Sequence, residues 1–470
     1  PTRRSSDLDL FINFSSSKLS LGGSSFAQIT NAIGQDCPDI KDADYFKKAF
    51  NAVQKLIAEK LILSGHDISA GGMITTLLEM IFATTQYGME INLDFSSQDL
   101  CTTLFAENPG IIIQTANIKK VDQILNSFGV KYYAIGNTTK SRNLKITKEN
   151  QTKILDTDAL RDIWYKTSYL LDRYQTEQTC AEKRYKNYKK QPLEFKFPTS
   201  FDGQLKTYGI DSKRREKTGI KAAIIREKGI NGDREMAWAM YLAGFDVKDV
   251  HMTDLANGRE TLEDVNFIVY CGGFSNSDVL GSAKGWAGAF KYNEKAKKAL
   301  ENFYARPDTL SLGICNGCQL MNELELVYPH KQNHPKLKHN ISGKFESAFV
   351  NVDIMPSNSI LLKSLEGSRL GVWIAHGEGR FNLPELENQY IIPMKYSYAE
   401  YPGNPNGSDY NAAAVVSNDG RHLSMMPHPE RAVYAWQWAN YPEDRKNSDI
   451  VSPWIEMFIN AKNWILNYKK

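Results

Sequence analysis

The sequence predicts an α/β protein whose second half is built on a parallel sheet covered on both faces, with an α+β or α/β region before it. Three observations predict this. From Ile220 onward, short apolar runs alternate with helix-like stretches, the pattern of strands buried on both faces. A turn of the form Gly313-Ile314-Cys315-Asn316-Gly317 lies between an apolar run and a helix-like pattern, at a strand's carboxyl end, where such sheets carry their sites. Residues from about 8 to 150 also alternate strand and helix signals, as an α+β or α/β domain does.

In the first half, Leu8-Asp9-Leu10-Phe11-Ile12 reads as a strand. Phe46 to Leu63 has helical periodicity, with apolar residues at Phe50, Val53, Ile57 and Leu61. Residues 64–72 read as a glycine-rich loop, and Met73 to Ala83 as a mostly buried helix. Gly88 to Phe95 and Gly110 to Gln114 read as strands. Leu160 to Tyr188 is helical in pattern and rich in Trp, Tyr and charge; Pro192, Pro198 and Gly203 then break it. The expected organisation is a first domain over 8–154, a helical linker over 155–216 and a second domain over 217–470.

In the second half, Lys221 to Ile225 reads as a strand, Gly232 to Ala243 as a helix and Phe245 to His251 as a strand. Phe267 to Tyr270 is another strand, ending at Cys271-Gly272-Gly273. A helix over Glu294 to Ala305 follows, then the strand that leads to Cys315.

Cys315 occupies the tip of a Gly-x-nucleophile-x-Gly elbow. The glycines are needed because the turn is tight: a side chain at Gly313 or Gly317 would crowd the neighbouring strand or helix. The helix that starts behind the cysteine offers N–H groups and a positive dipole end, which favour a thiolate. Far downstream stands Met426-Pro427-His428-Pro429-Glu430-Arg431, after the strand-like His422 to Met426. On an extended segment His428 and Glu430 would share a face, so that the carboxylate could hold the imidazole tautomer while the imidazole takes the thiol proton.

Acyl transfer also needs an oxyanion hole. The N–H of Asn316 is one expected donor. The second is expected from the loop Gly272-Gly273-Phe274-Ser275, with Gly273 and Phe274 as the candidates. His376-Gly377-Glu378-Gly379-Arg380 follows the strand Gly371 to Ala375 and could line the pocket. His376 is a rival base, because Glu378 is also two residues on, but the prolines around His428 rank it first. Cys315-x-x-Cys318 invites a metal or redox reading, yet no second pair exists and His330, His334 and His339 are irregularly spaced, so Cys318 is expected to pack inside its helix.

The bulk numbers narrow the class. The 470 residues suggest about three domains. Net charge is +3, and the locally basic Lys183 to Lys190 reads as a solvated helix face, so no nucleic-acid partner is expected. The six scattered cysteines do not form a disulfide framework, and a catalytic thiol fits a reducing, cytoplasmic setting. No apolar run suggests a membrane span or signal peptide. Pro1 to Asp7 is polar and leads abruptly into a strand, so the chain is expected to be a fragment whose first few residues are foreign sequence.

These residues carry a family resemblance. The region from about 220 onward resembles a class I, triad-type glutamine amidotransferase domain of flavodoxin-like fold. The motifs are Cys315-Asn316-Gly317-Cys318-Gln319, Gly272-Gly273-Phe274-Ser275 with Asp278-Val279-Leu280-Gly281, Lys284-Gly285-Trp286-Ala287, residues 376–380, residues 401–408 and residues 426–431. Together they are similar to one branch, the large single-chain phosphoribosylformylglycinamidine synthases. Leu21-Gly22-Gly23-Ser24-Ser25 and His66-Asp67-Ile68-Ser69-Ala70-Gly71-Gly72 resemble the end of that family's synthetase core.

The resemblance implies that Cys315 is the nucleophile, His428 the base and Glu430 its orienter. It implies pocket roles for Gln319, His376 and Glu378, a magnesium ligand at Asp67 and a nucleotide contact at Ser69. Glutamine would supply ammonia for an ATP- and Mg²⁺-dependent conversion of formylglycinamide ribonucleotide, whose site would be completed by upstream domains. Asn276-Ser277 stands where the family has Tyr-Gly. Two other readings remain: the glutaminase of another ammonia-using synthetase, and a non-enzymatic flavodoxin-like module that merely keeps the elbow.

Overall fold

The structure is a computed structural model that describes residues 7–468; the expected foreign segment falls almost wholly outside the described residues. The chain divides into two compact units, residues 1–168 and 169–470.

The first unit is a seven-stranded sheet. Its strands are β1 (Leu8–Asn13), β2 (Ser64–Asp67), β3 (Gly88–Asn92), β4 (Gly110–Thr115), β5 (Tyr133–Thr139), β6 (Asn143–Lys148) and β7 (Gln151–Asp156), in the order β2-β4-β1-β5-β3-β6-β7. Only β3 and β6 pair in parallel. Alternate residues of β1 feed opposite faces. Leu10 and Ile12 join a core with Ala49, Val53 and Leu125, whereas Phe11 joins one with Met73, Leu77 and Ile91.

Short α1 (Ser25–Ile29) and α4 (Leu100–Phe105) accompany α2 (Ala43–Ala58), α3 (Gly72–Phe82) and α5 (Ile118–Ser127). Two expectations change here. The predicted loop over 64–72 begins as a strand, because Ser64 to Asp67 pair antiparallel with Gln114 to Ile111. The strand expected over Gly88 to Phe95 ends at Asn92.

The single helix predicted over Leu160 to Tyr188 is two helices, α6 (Thr157–Gln175) and α7 (Gln178–Asn187). Thr176 and Glu177 break it. The Thr176 hydroxyl donates back to Asp172 at 2.6 Å, and Glu177 caps α7 by accepting from the N–H of Cys180 at 3.0 Å. The division between the units falls inside α6.

The second unit holds a nine-stranded sheet and its helices. In chain order these are β8 (Lys221–Arg226), α8 (Asp233–Ala243), β9 (Asp246–His251), α9 (Met252–Asn257), β10 (Phe267–Tyr270), α10 (Lys284–Tyr292), α11 (Glu294–Ala305), β11 (Leu310–Ile314) and α12 (Asn316–Glu323). There follow β12 (Lys336–Lys338), β13 (Glu346–Ile354), β14 (Arg369–His376), β15 (Arg380–Asn382), β16 (Ile391–Tyr396), β17 (Ala412–Val416), β18 (His422–Met425) and α13 (Ile455–Tyr468). The strand order is β14-β13-β16-β17-β18-β11-β10-β8-β9, and β12 pairs with β15 apart from it.

The parallel sheet expected from the βα rhythm is present, and an antiparallel half that the rhythm did not announce extends it. β18, β11, β10, β8 and β9 are parallel, whereas β17, β16, β13 and β14 extend the sheet antiparallel. The central parallel strands β10, β11 and β18 are fully buried, whereas the edge strand β9 has one buried residue. The antiparallel extension brings β14 beside the carboxyl end of β11. Among the described residues, no helix is long and apolar enough to cross a membrane.

Candidate active site

Cys315 follows β11 directly and opens α12, at φ +51° and ψ −104°. For a non-glycine residue this is a strained conformation, held by its surroundings. The surroundings are explicit. The N–H of Cys315 donates to Met425 O at 3.0 Å, and its carbonyl accepts from the N–H of Gln319 at 3.0 Å. A Cβ on Gly313 would lie 2.5 Å from Gly317 O, and one on Gly317 only 2.0 Å from Tyr270 O. The elbow closes only because both are glycine. The thiol is buried, and its hydrogen bond goes to the carbonyl of Ala375, at 3.4 Å, on β14.

His428 and Glu430 come from the turn after β18. The expectation that they share a face of an extended segment is corrected here, since Pro429–Arg431 is a 3₁₀ turn. The turn swings Glu430 back beneath His428, and the imidazole Nδ1 meets the carboxylate at 2.6 Å, with both side chains buried. The backbone N–H of His428 donates to Trp373 O at 2.9 Å, which fixes the turn against β14.

Burial pushes the imidazole down, but Glu430 and then the thiol of Cys315 outweigh it and hold His428 up at about 9. A Cβ on Gly272 would lie 2.8 Å from His428 Cε1 and 3.4 Å from Cys315 Cβ, so both side chains flank one glycine. His428 Nε2 is buried without a hydrogen-bond partner.

Of the expected oxyanion donors, Phe274 has its N–H already engaged. Its N–H donates to Gly229 O at 3.0 Å, because residues 229–231 and 272–274 meet as a short antiparallel bridge. That pairing also uses Gly272 O and leaves out the N–H of Gly273, where a Cβ would lie 2.5 Å from Ile230 Cα. The N–H of Asn316 is in the first turn of α12, where no helical acceptor exists for it.

The Asn316 side chain ties the site together. Its Oδ1 accepts from the N–H of Ser275 at 3.1 Å, and its Nδ2 donates to Gln319 Oε1 at 2.9 Å and Asp278 Oδ1 at 3.4 Å. Gln319 Nε2 donates in turn to the Glu378 carbonyl at 2.8 Å.

His376, the rival base, is buried on Asn340 instead of on a carboxylate. Its Nδ1 lies 3.2 Å from Asn340 Oδ1, and Glu378 does not reach it. Burial, then the charge of His428, pushes it down to about 3. Cys318 packs inside α12 as expected. Its sulfur accepts from Ser424 Oγ at 3.1 Å, and burial raises its thiol far above the ordinary range. Among the described residues, no group of three or more metal-ligating side chains exists.

Sequence reasoning missed the carbonyl of Ala375, Asn340, and the carboxylate of Asp278. Ala375 and Asn340 carry no local signal, because a distant fold brings them there. Asp278 stood in a quoted motif without a role.

In the first unit, Asp67 closes β2 with an exposed carboxylate, and its carbonyl accepts from Thr76 Oγ1 at 3.0 Å. Ser69 lies in the exposed turn before α3, and its carbonyl accepts from the N–H of Gly72. The Asp67 carboxylate has His66 Nδ1 at 3.4 Å, and an exposed carboxylate of this kind suits Mg²⁺ bound mainly through phosphates and water.

Residues 219–465 match the family described as the CobB/CobQ-like glutamine amidotransferase domain. The chain belongs to that family. Residues 9–149 match the family described as AIR synthase related protein, C-terminal domain. Both regions align with longer proteins. The probable phosphoribosylformylglycinamidine synthase, chloroplastic/mitochondrial, of Arabidopsis thaliana is 42% identical over 97% of this chain and 34% of its own length. The phosphoribosylformylglycinamidine synthase of Homo sapiens is 38% identical over 97% of this chain and 36% of its own length. The chain thus spans about a third of the curated relatives it matches. A solved structure titled "Structure of PurLQS from Thermotoga maritima" is 26% identical over 53% of this chain and 99% of that one, with a TM-score of 0.40. In this amidotransferase domain, the elbow and the His428 turn both lie within the matched residues.

Proposed function

We propose that this chain is the glutamine-hydrolysing part of a phosphoribosylformylglycinamidine synthase. The observation that carries the reading is a buried thiol at a strained elbow beside an imidazole clamped to a carboxylate at 2.6 Å.

In this reading the thiol of Cys315 loses its proton to His428 Nε2 and the sulfur attacks the glutamine carboxamide carbon. The N–H groups of Gly273 and Asn316 receive the developing oxyanion. His428 returns its proton to the departing nitrogen, and ammonia leaves a thioester on Cys315. Water, deprotonated by His428, hydrolyses the thioester to glutamate and regenerates the thiol. Glu430 holds the Nδ1–H tautomer and stabilises the imidazolium. Gln319, His376 and Glu378 shape the substrate pocket around the elbow.

The first unit would be the end of the synthetase core, over 8–154, joined through 155–216. Asp67 and Ser69 would there help to hold Mg²⁺ and a nucleotide. ATP supplies activation of the formylglycinamide ribonucleotide amide for attack by ammonia. The pairing of an AIR synthase-related region with an amidotransferase region favours this over the glutaminase of another synthetase.

The test is covalent labelling with an electrophilic glutamine analogue, read by peptide mass spectrometry. Labelling confined to Cys315 and lost in His428→Ala supports the reading. Labelling of Cys318 instead, or none of Cys315 in folded protein, overturns it.

A further inference from the structure

We propose that Arg184, with the two carboxylates it bridges, Asp172 and Glu346, is a positioning residue for the Cys315 site. It fixes the loop over residues 340–346, and through that loop the end of β14 and the oxyanion turn. This rests on the glutaminase reading above and adds to it a residue that touches neither substrate nor thiol.

The cluster joins α6, α7 and β13. Arg184, on α7, donates to Asp172 Oδ2, near the end of α6, at 2.5 Å. It also donates to Oε2 of Glu346, the first residue of β13, at 3.3 Å. Lys344 Nζ brings a second cation to Asp172 at 3.2 Å, and Tyr401 donates its hydroxyl to Glu346 Oε1 at 2.8 Å. The guanidinium lies over the Tyr401 ring, with Cζ 4.9 Å from its centroid. Where α6 gives way to α7, the N–H of Glu177 donates to Ser342 O at 2.9 Å.

Residues 341–345 depend on such bonds, because they form neither helix nor strand, Phe345 is exposed and Ile341 only half-buried. The other side of the loop meets the catalytic turns. Asn340 Nδ2 donates to the carbonyls of His376 at 2.7 Å and Lys344 at 3.0 Å, and its Oδ1 accepts from the N–H of Gly379 at 3.1 Å. The N–H of Asn340 donates to Gly377 O at 2.9 Å. Glu346 itself pairs with His376 across the β13–β14 ladder. The residue before His376 is Ala375, whose carbonyl takes the thiol of Cys315. Phe345 meets Phe274 with ring centroids 6.1 Å apart, and Phe274 follows Gly273, the proposed oxyanion donor. One loop thus carries the ion pairs on one side and touches both halves of the site on the other.

Arg184 is the member whose loss the cluster cannot absorb. Without it Asp172 keeps Lys344, but Glu346, whose side chain is 9% exposed, loses its ion pair. A buried carboxylate stripped of its cation takes up a proton or moves toward water. Glu346 can move only by shifting the start of β13 and the loop before it. The planar fork of arginine also reaches two carboxylates at once, which the single ammonium of a lysine does less well.

The test is glutamine hydrolysis by Arg184→Met, which removes the charge and keeps an apolar stem against Tyr401. The control is Arg214→Met. Arg214 pairs with Asp246 at 3.1 Å, is buried to a similar degree and lies over the Tyr241 ring. Asp246, however, begins β9, at the opposite edge of the sheet from β14. Both variants should lose Tm. Only Arg184→Met should lose kcat, by about 10- to 100-fold, because small displacements of reacting groups are costly in rate. KM for glutamine should change far less, since the cluster does not touch substrate. Labelling of Cys315 by an electrophilic glutamine analogue should slow in parallel. Asp172→Asn keeps the shape of the side chain, should show a smaller loss in the same direction, and decides the matter if Arg184→Met does not fold. A wild-type kcat in the folded variant, or an equal loss in Arg214→Met, overturns the positioning role and leaves the glutaminase reading standing. If the wild type neither hydrolyses glutamine nor is labelled at Cys315, that reading fails and this inference with it.

Discussion

The thiol of Cys315 rests 3.4 Å from the carbonyl oxygen of Ala375, while His428 Nε2, across Gly272, stays without a hydrogen-bond partner. The nucleophile and its proposed base are therefore adjacent, and the thiol already helps Glu430 to hold the imidazole up. The same strand that parks the thiol also anchors His428, through Trp373 O. β14 thus sets both ends of the proton transfer.

Glu430→Gln should lower the His428 pKa sharply. The carboxylate is the main influence that lifts the imidazole to about 9 against its burial. Without that charge only the Cys315 thiol opposes burial, and the ring should titrate well below 9. Following the His428 ring protons by NMR across pH 5 to 10 checks this; an unchanged titration would show that Glu430 is not the controlling partner. Glutamine hydrolysis in the same variant should fall by about 10²- to 10⁴-fold.

Much of this was legible in the sequence, for physical reasons that differ by residue. The Cys315 elbow was legible because a tight strand-to-helix turn demands glycine at fixed offsets, and Gly313 and Gly317 supply them. The pairing of His428 with Glu430 was legible, but its geometry was not. Two prolines suggested extension, whereas Pro429 instead opens a 3₁₀ turn. The antiparallel half of the sheet was hidden because β13, β16 and β17 return to it from distant loops, and long-range pairing leaves no local period. In the first unit β7 was hidden for another reason: it has no buried residue, so no apolar alternation marks it. The engagement of the Phe274 N–H was not legible, because only the fold brings residues 229–231 to it.

Cys318→Ala should keep Cys315 reactive, because the two thiols face different surroundings. The Cys318 sulfur is bonded to Ser424, in the core beneath α12. Its removal leaves a small cavity and a Ser424 hydroxyl with one partner fewer, at a cost of about 1–2 kcal/mol. Thermal denaturation should show a modest fall in Tm, and glutamine-analogue labelling should persist at close to the wild-type rate.

Stability should fall on acidification through a window set by two buried histidines. Burial holds His376 down at about 3 and His422 at about 4, so both are neutral in the folded protein. The unfolded chain takes up protons on these rings below 6.5 and the folded one does not, so stability is full above about 6.5 and is lost as pH falls toward 4. His428 acts oppositely: its stabilisation is full below 6.5 and is lost as pH rises through about 9. Tm should therefore peak between these limits. His422→Gln should flatten the acid limb; an unaltered slope would remove His422 from the explanation.

Two glycines beside the nucleophile should fail in different ways when given the same methyl group. Gly317→Ala places a Cβ 2.0 Å from the carbonyl oxygen of Tyr270 and 2.6 Å from its carbonyl carbon. Those are backbone atoms of a fully buried strand, so α12 must lift from the sheet. Overpacking of this kind costs about 1–3 kcal/mol, and the elbow itself would be displaced. Gly272→Ala places its Cβ 2.8 Å from His428 Cε1, a side-chain atom, with Cys315 Cβ at 3.4 Å. Here the imidazole can yield by turning, and the sheet need not. The expected result is a clear loss of Tm in Gly317→Ala. Gly272→Ala should instead keep a Tm close to wild type but lose glutamine hydrolysis, because the ring that must meet the thiol has been pushed off its line. Chemical denaturation and analogue labelling on both variants separate the outcomes. A Gly272→Ala protein that hydrolyses glutamine at the wild-type rate would show that His428 does not work across that glycine.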